Sequence, residues 1–241
     1  MNYISSDTFA KNELLDRFIK YVKIWTESSE AAADTGKIPS TDRQFDLAEK
    51  LSDELILLGL SEVQVTENCY VHGILNASVG LEKVPSMCWL AHLDTVEEVS
   101  GKDVKPIVHT NYDGEAIDLQ NGIRLDSHAD SCLAQAAAER DTIITSDGTT
   151  LLGADDKAGI AEIMTALQYL VGHPEVKHGQ IEVIFSPDEE TGHGMDKIPL
   201  TLLKSKFAYT VDGGHLGQLE TECFNAFSAS VTFTGKACHT G

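Results

Sequence analysis

Apolar residues recur along this chain at two periods, and the alternation between them divides it into helices and strands. In "KNELLDRFIKYVKIW" the positions Leu14, Leu15, Phe18, Val22 and Trp25 share one helical face, which predicts an amphipathic first helix. A polar, small-residue loop over 27–37 follows. In "PSTDRQFDLAEKLSDELILLGL" Phe45, Ala48, Leu51, Leu55 and Leu58 form a second stripe, Thr41 and Gln44 have capping-box spacing, and Gly59 is the stop. The period then shortens. "SEVQVTE" and "YVHGILNAS" read as paired strands turning near Asn68, and "SMCWLAHLD" as a buried strand ending in polar residues.

Residues 97–140 mix charge, Gly and Asn around a small Ala-rich segment, Ala134 to Ala138, and read as excursions rather than core. "DTIITSDGTTLLGAD" predicts a hairpin about Asp147-Gly148. "TTLLGADDKAGIAEIMTAL" then opens a helix with Ile160, Ile163, Met164, Leu167 and Leu170 inward and Gly172 at its end. After it come a strand, "QIEVIFS", a short helix, "MDKIPLTLLKSK", and another strand, "FAYTVDGG". Helices alternating with buried strands predict an α/β protein built on a layered mixed sheet. The β-rich tail after residue 224 differs in character, so the expected division is residues 1–224 as the main domain and 225–241 as the start of a second, α+β one.

At 241 residues and 42% apolar, the chain has material for a large core. Its net charge of -20, from 38 acidic and 18 basic residues, leaves no basic cluster for nucleic acid or an anionic membrane. The 5 cysteines include no C-x-x-C pair, which reads as reduced thiols in a cytoplasmic protein. "MNYISSDTFAKNELL" has no signal-peptide pattern, and no apolar run approaches the ~20 residues that span a bilayer.

Polar clusters follow each buried strand. "SMCWLA" runs into His92 and Asp94, "QIEVIFSP" into Asp188, Glu189 and Glu190, "FAYTV" into Asp212, and the expected hairpin into Asp155 and Asp156. Each has an ordinary explanation: a helix cap, a satisfied loop histidine, a solvated acidic turn, a turn before glycines. Together they place several carboxylates and an imidazole at strand ends of an open sheet, where ligands bind. Such carboxylates repel unless a cation intervenes, and the donor types suit zinc, manganese or cobalt better than calcium. Two ions would spread the charge better than one.

"HLDT", "LLGADDKAG", "SPDEETG" and "TVDGG" resemble the metal-binding and catalytic segments of the co-catalytic dinuclear metallo-exopeptidases, most closely the peptidase T family of tripeptide aminopeptidases. The resemblance implies a zinc-exopeptidase fold, a short peptide substrate and two zinc ions, with manganese or cobalt as substitutes. It implies that His92, Glu190 and Asp212 each bind a metal, that Asp155 bridges both, that Asp94 orients His92, and that Glu189 is the general base. Asp156 keeps the cap role and Lys157 pairs with acidic neighbours. His239 in "GKACHTG" resembles a lid histidine that reaches the substrate, although Thr240 stands where proline is common.

In that family a lid domain, through which a homodimer would form, interrupts the catalytic domain, and a distal histidine then completes the metal site. None of His72, His109, His128, His173, His178, His193 or His215 lies in that context, so the sequence reads as an amino-terminal fragment, inactive by itself. Two other readings use the same residues: an amidohydrolase or dipeptidase acting on another small amide, and a metal-binding module without catalysis.

Overall fold

The computed structural model describes residues 8–214, 217–222, 225, 227 and 229–238. The chain enters through helix α1 (Thr8–Tyr21), a single turn α2 (Glu30–Ala33) and helix α3 (Gln44–Leu57), then runs through strands β1 (Ser61–Val65), β2 (Val71–Leu75) and β3 (Met87–His92). A peripheral excursion carries β4 (Ile107–His109), β5 (Ile117–Asp118), β6 (Arg124–Leu125), α4 (Ser131–Glu139) and β7 (Ile143–Thr145). Helix α5 (Ala154–Gly172) returns to the body, followed by β8 (Ile181–Ser186) and β9 (Ala208–Thr210). Among the described residues after Thr210 there is no further helix or strand.

The main sheet has the order β1-β2-β8-β3-β9. β8 lies at its centre and all six of its residues are buried, because it pairs antiparallel with β2 on one side and parallel with β3 on the other. β9 extends the parallel half beside β3. Along β8, Ile181, Val183 and Phe185 face the larger core, where Phe18, Leu47, Leu51, Leu55, Ile160, Met164 and Leu167 pack from the three long helices. The opposite face is thinner: Tyr70, Cys88, Leu90 and Ile184 are covered by Ile198 and Leu203 from the segment after β8. That cover is stitched down by Glu182, which is fully buried on β8, accepts from His72 Nε2 at 2.8 Å and takes the backbone N–H groups of Lys204 and Ser205. A buried carboxylate needs such partners to offset its lost hydration.

Three expectations need correction. The short helix over 195–206 is a series of turns instead, closed by i→i+3 bonds such as Ile198 N–H to Met195 O and Leu202 N–H to Pro199 O. Pro199 lacks the amide a helix would need there. The hairpin about Asp147-Gly148 does not form. β7 pairs with the distant β4, while Asp147 turns the chain by accepting the Thr149 N–H at 2.9 Å. Thr41 and Gln44 do not close a capping box either: Arg43 holds the N-cap position with no side-chain cap bond, and Gln44 is buried against Asp188. No helix among the described residues is long and apolar enough to cross a membrane.

α5 lies so close to the end of β9 that a methyl group on Gly159 would overlap the Val211 carbonyl oxygen and the Asp156 carboxylate. A methyl on Gly172, at the other end of the helix, would meet nothing within 4 Å. Gly159→Ala is therefore expected to lower stability by about 1–3 kcal/mol. Gly172→Ala is expected to raise it by up to about 1 kcal/mol. Urea unfolding midpoints check this pair of opposite signs, and a shift of both in one direction would contradict the close approach.

Candidate metal centre

Three strand ends and one helix mouth converge at the carboxyl edge of the parallel half of the sheet. His92 is the last residue of β3, Glu189 follows β8, Asp212 follows β9, and Asp155 lies at the start of α5. The first turn of α5 is irregular: Gly153 is left-handed (φ 75°), Asp155 and Asp156 have non-helical dihedrals, and the peptide between them is cis. The two aspartates therefore diverge. Asp155 Oδ1 accepts from His92 Nε2 at 2.8 Å. Asp156 is buried and turns inward, accepting the His92 N–H at 3.2 Å and the Gly159 N–H at 3.1 Å.

The imidazole of His92 is 2% exposed and held in one orientation. Its Nδ1–H donates to the Asp94 carbonyl oxygen at 3.1 Å, with the Asp94 carboxylate 3.5 Å away. A carbonyl can only accept, so Nδ1 keeps its proton, and Nε2, which donates to Asp155 here, is the nitrogen that would lose its proton to take a cation. Around Nε2 stand Asp155 Oδ1 at 2.8 Å, Asp212 Oδ2 at 3.7 Å and Glu189 Oε2 at 3.9 Å.

One ligand atom from each of His92, Asp155 and Asp212 lies within 4.8 Å of the other two. Donor atoms sharing one zinc at ~2.0–2.2 Å stand about 3.3 Å apart, so this set fits a cation with little adjustment. The electrostatics agree. Burial works to lower the pKa of His92, but Asp155, Asp94 and Asp156 together outweigh it and raise it to about 11. Burial, reinforced by Asp155, raises Asp212, whereas the bond from His92 lowers Asp155. Burial, with the other carboxylates, also raises Glu189, and raises Glu190 to about 7. Such strained titration is what gathering acids round one imidazole produces, and a cation relieves it.

The side chain of Glu190 lies outside that trio, although its backbone is placed with theirs. Asp94, fully buried, accepts the Glu189 N–H at 2.9 Å and the Glu190 N–H at 3.2 Å, so it orients both the imidazole and the acidic loop. His239 lies outside the described residues. Lys157 does not pair with an acid: its Nζ donates to the Ile24 carbonyl at 2.7 Å. A cavity of about 190 Å³ opens beside the imidazole, lined by His92, Glu189 and Asp212 together with Leu90, Met195 and Thr210. Sequence reasoning missed the inward turn of Asp156 and the burial of Asp188; the only signal was the unbroken acidic run each belongs to.

No family model matches the chain. It is 47% identical over 232 residues to a peptidase T of Caldanaerobacter subterraneus subsp. tengcongensis, covering 95% of this chain and 55% of that protein. It is 48% identical over 231 residues to a peptidase T of Listeria monocytogenes serotype 4a, covering 96% and 55%. The chain thus spans about half the length of these relatives. Among solved structures it resembles a tripeptidase of Staphylococcus aureus (TM-score 0.58, 26% identity, 85% of this chain and 44% of that one). An aminopeptidase PepT of Bacillus cereus shares the fold (TM-score 0.59, 23% identity, 85% and 44%). Along nearly its whole length the chain is homologous to the peptidase T family.

Proposed function

We propose that this chain supplies part of the catalytic domain of a zinc-dependent aminopeptidase that releases the amino-terminal residue of short peptides, tripeptides among them, with residues 225–241 beginning a lid domain. The observation that carries the proposal is the buried His92 with its Nε2 aimed at Asp155, Asp212 and Glu189. The names of the relatives support the substrate class: the homologous proteins are peptidases T, and the Staphylococcus aureus neighbour is a tripeptidase.

In this reading His92, Asp155, Glu190 and Asp212 would hold two zinc ions. Bound there, zinc lowers the pKa of a water and polarises the scissile carbonyl. Asp94 fixes the His92 tautomer through its carbonyl and holds the Glu189 and Glu190 amides through its carboxylate. Glu189, exposed beside the cavity, remains free to take the proton of the attacking water and return it to the leaving amine. Its burial-raised pKa brings it nearer to neutrality, where a general base works best.

In the full-length protein, Glu189→Gln is expected to reduce tripeptide turnover by the ~10²–10⁴-fold that general acid–base catalysis contributes, with bound zinc unchanged. Loss of zinc in that variant would exchange the roles of the two glutamates. Activity on N-acyl amino acids, with none on free-amine tripeptides, would favour an amidohydrolase instead.

The pKa shifts also fix a pH dependence. His92, raised from 6.5 to about 11, contributes stability that is full below about pH 6.5 and lost as pH rises toward 11. Burial raises Asp156 from 3.8 to about 8 and Glu190 from 4.5 to about 7; both favour the neutral acid, so their contributions are also lost on raising pH through those windows. A cation takes the deprotonated donors and opposes the loss. Added zinc should therefore raise the unfolding temperature more at about pH 8.5 than at about pH 6, relative to chelator, and His92→Ala should remove the increment. Equal increments at both pH values would contradict a site built on His92.

A further inference from the structure

Asp188 directly precedes the proposed base and has no part in the reaction just described. It is fully buried, and its two oxygens are saturated by residues at the start of α3. Oδ2 accepts the Ser40 N–H at 2.7 Å, and Oδ1 accepts the Ser40 hydroxyl at 2.5 Å and Gln44 Nε2 at 2.7 Å. The bond is reciprocated, since the Asp188 N–H donates to Gln44 Oε1 at 3.2 Å. The Asp188 carbonyl accepts the His193 N–H and the Thr191 hydroxyl, both at 3.0 Å.

The far side of this cluster is anchored as well. Ser40 Oγ accepts the Ser29 N–H at 2.9 Å, and the neighbouring Thr41 hydroxyl donates to the Glu27 carbonyl at 2.7 Å. Glu27 bridges to Thr95, and the Ser28 N–H donates to the Thr95 carbonyl at 3.0 Å, just beyond Asp94. The segment before α3 thereby ties the loop after β8 to the end of β3.

The backbone at Asp188 shows what these bonds maintain. Its φ is +53°, a left-handed conformation that an aspartate tolerates but does not favour. This reversal comes directly before the two amides that meet Asp94. A residue held there needs surroundings that over-determine it, and the six bonds from Asp188 to Ser40, Gln44, Thr191 and His193 do that.

We infer that Ser40, Gln44 and Asp188 form a clasp that positions Glu189: the clasp fixes the left-handed turn, and the turn delivers the Glu189 carboxylate to 3.9 Å from His92 Nε2. Asp188 is in this sense a positioning residue, and the inference rests on the role given to Glu189 above. A base misplaced by ~1 Å loses rate by up to about 10²-fold while substrate binding is kept.

The test uses the full-length, zinc-loaded protein and its Asp188→Ala, Asp188→Asn, Ser40→Ala and Gln44→Ala variants. In Asp188→Ala, kcat for a tripeptide is expected to fall ~10–100-fold with KM within about twofold and zinc content unchanged. Asp188→Asn, which keeps an acceptor and tolerates the left-handed region, should recover part of the loss. Ser40→Ala and Gln44→Ala should show smaller losses of the same kind, and they carry the test should Asp188→Ala fail to fold. Independently of turnover, hydrogen exchange of the amides at 189–193 should accelerate at least about tenfold in the variants while β3 and β8 keep their protection. Unchanged kcat per zinc-loaded molecule, or a loss that follows zinc content or KM, would overturn the inference. Absence of wild-type turnover would instead reject the proposed function, leaving the exchange experiment to decide whether the clasp holds the loop.

Discussion

A buried carboxylate, Asp94, ties the site together. It lies two residues past the end of β3 and accepts the amides of Glu189 and Glu190 from the loop after β8, while its own carbonyl receives the Nδ1–H of His92. Two neighbouring parallel strands are joined beyond their last ladder pair, His92 with Ser186. A fully buried carboxylate is costly unless its oxygens are satisfied, and the two backbone donors do so. The same bonds decide which way the acidic loop faces. Without them the parallel ladder would still form, but its carboxyl edge would present acids with no fixed relation to the imidazole.

The charge at this edge shows why such ties are needed. Asp155, Glu189 and Asp212 face one imidazole with Glu190 next in the chain, and burial together with mutual repulsion raises three of these four acids. No stability argument would place them together, because like charges at this spacing oppose folding. Conflict of this kind, held in place by buried bonds from Asp94, Asp156 and Asp188, marks a site shaped for a ligand of opposite charge.

The fold was largely legible because its signal is periodic. The stripe ending in Leu51 and Leu55, the strand over Ile181 to Ser186 and the inward face from Ile160 to Leu167 all buried as their spacing required. What failed was local chemistry read without its tertiary partner. Asp147-Gly148 is a strong turn dipeptide, yet β7 found its partner in the distant β4, with Val108 opposite Ile144. Thr41 and Gln44 have the spacing of a cap, but Gln44 bonds a carboxylate 144 positions on. Pattern specifies which face of an element is apolar; it does not say which buried acid a polar residue will meet. The candidate ligands His92, Asp155 and Asp212 were legible because each follows an apolar run in the sequence, although of the strands involved only β3 is buried: β9, expected to be buried, is an exposed edge strand. Asp188 was not, since nothing in an acidic stretch distinguishes the residue turned inward from those turned out.

Asp155 and Asp156 carry that argument furthest, being adjacent, identical in chemistry and opposite in use. Had the helix begun regularly at Ala154, successive side chains would have been about 100° apart on one solvent-facing turn, and both could have served as caps. The backbone leaves helical geometry at both residues instead. One carboxylate then reaches His92 Nε2, and the other turns back to the His92 amide and to Gly159, whose missing side chain is what lets α5 approach Val211. Asp156 thus fixes the helix mouth against β3 from below while Asp155 stands over the imidazole. A cap and a candidate metal ligand are built from one dipeptide because the capping acid and the site acid grip opposite sides of the same histidine.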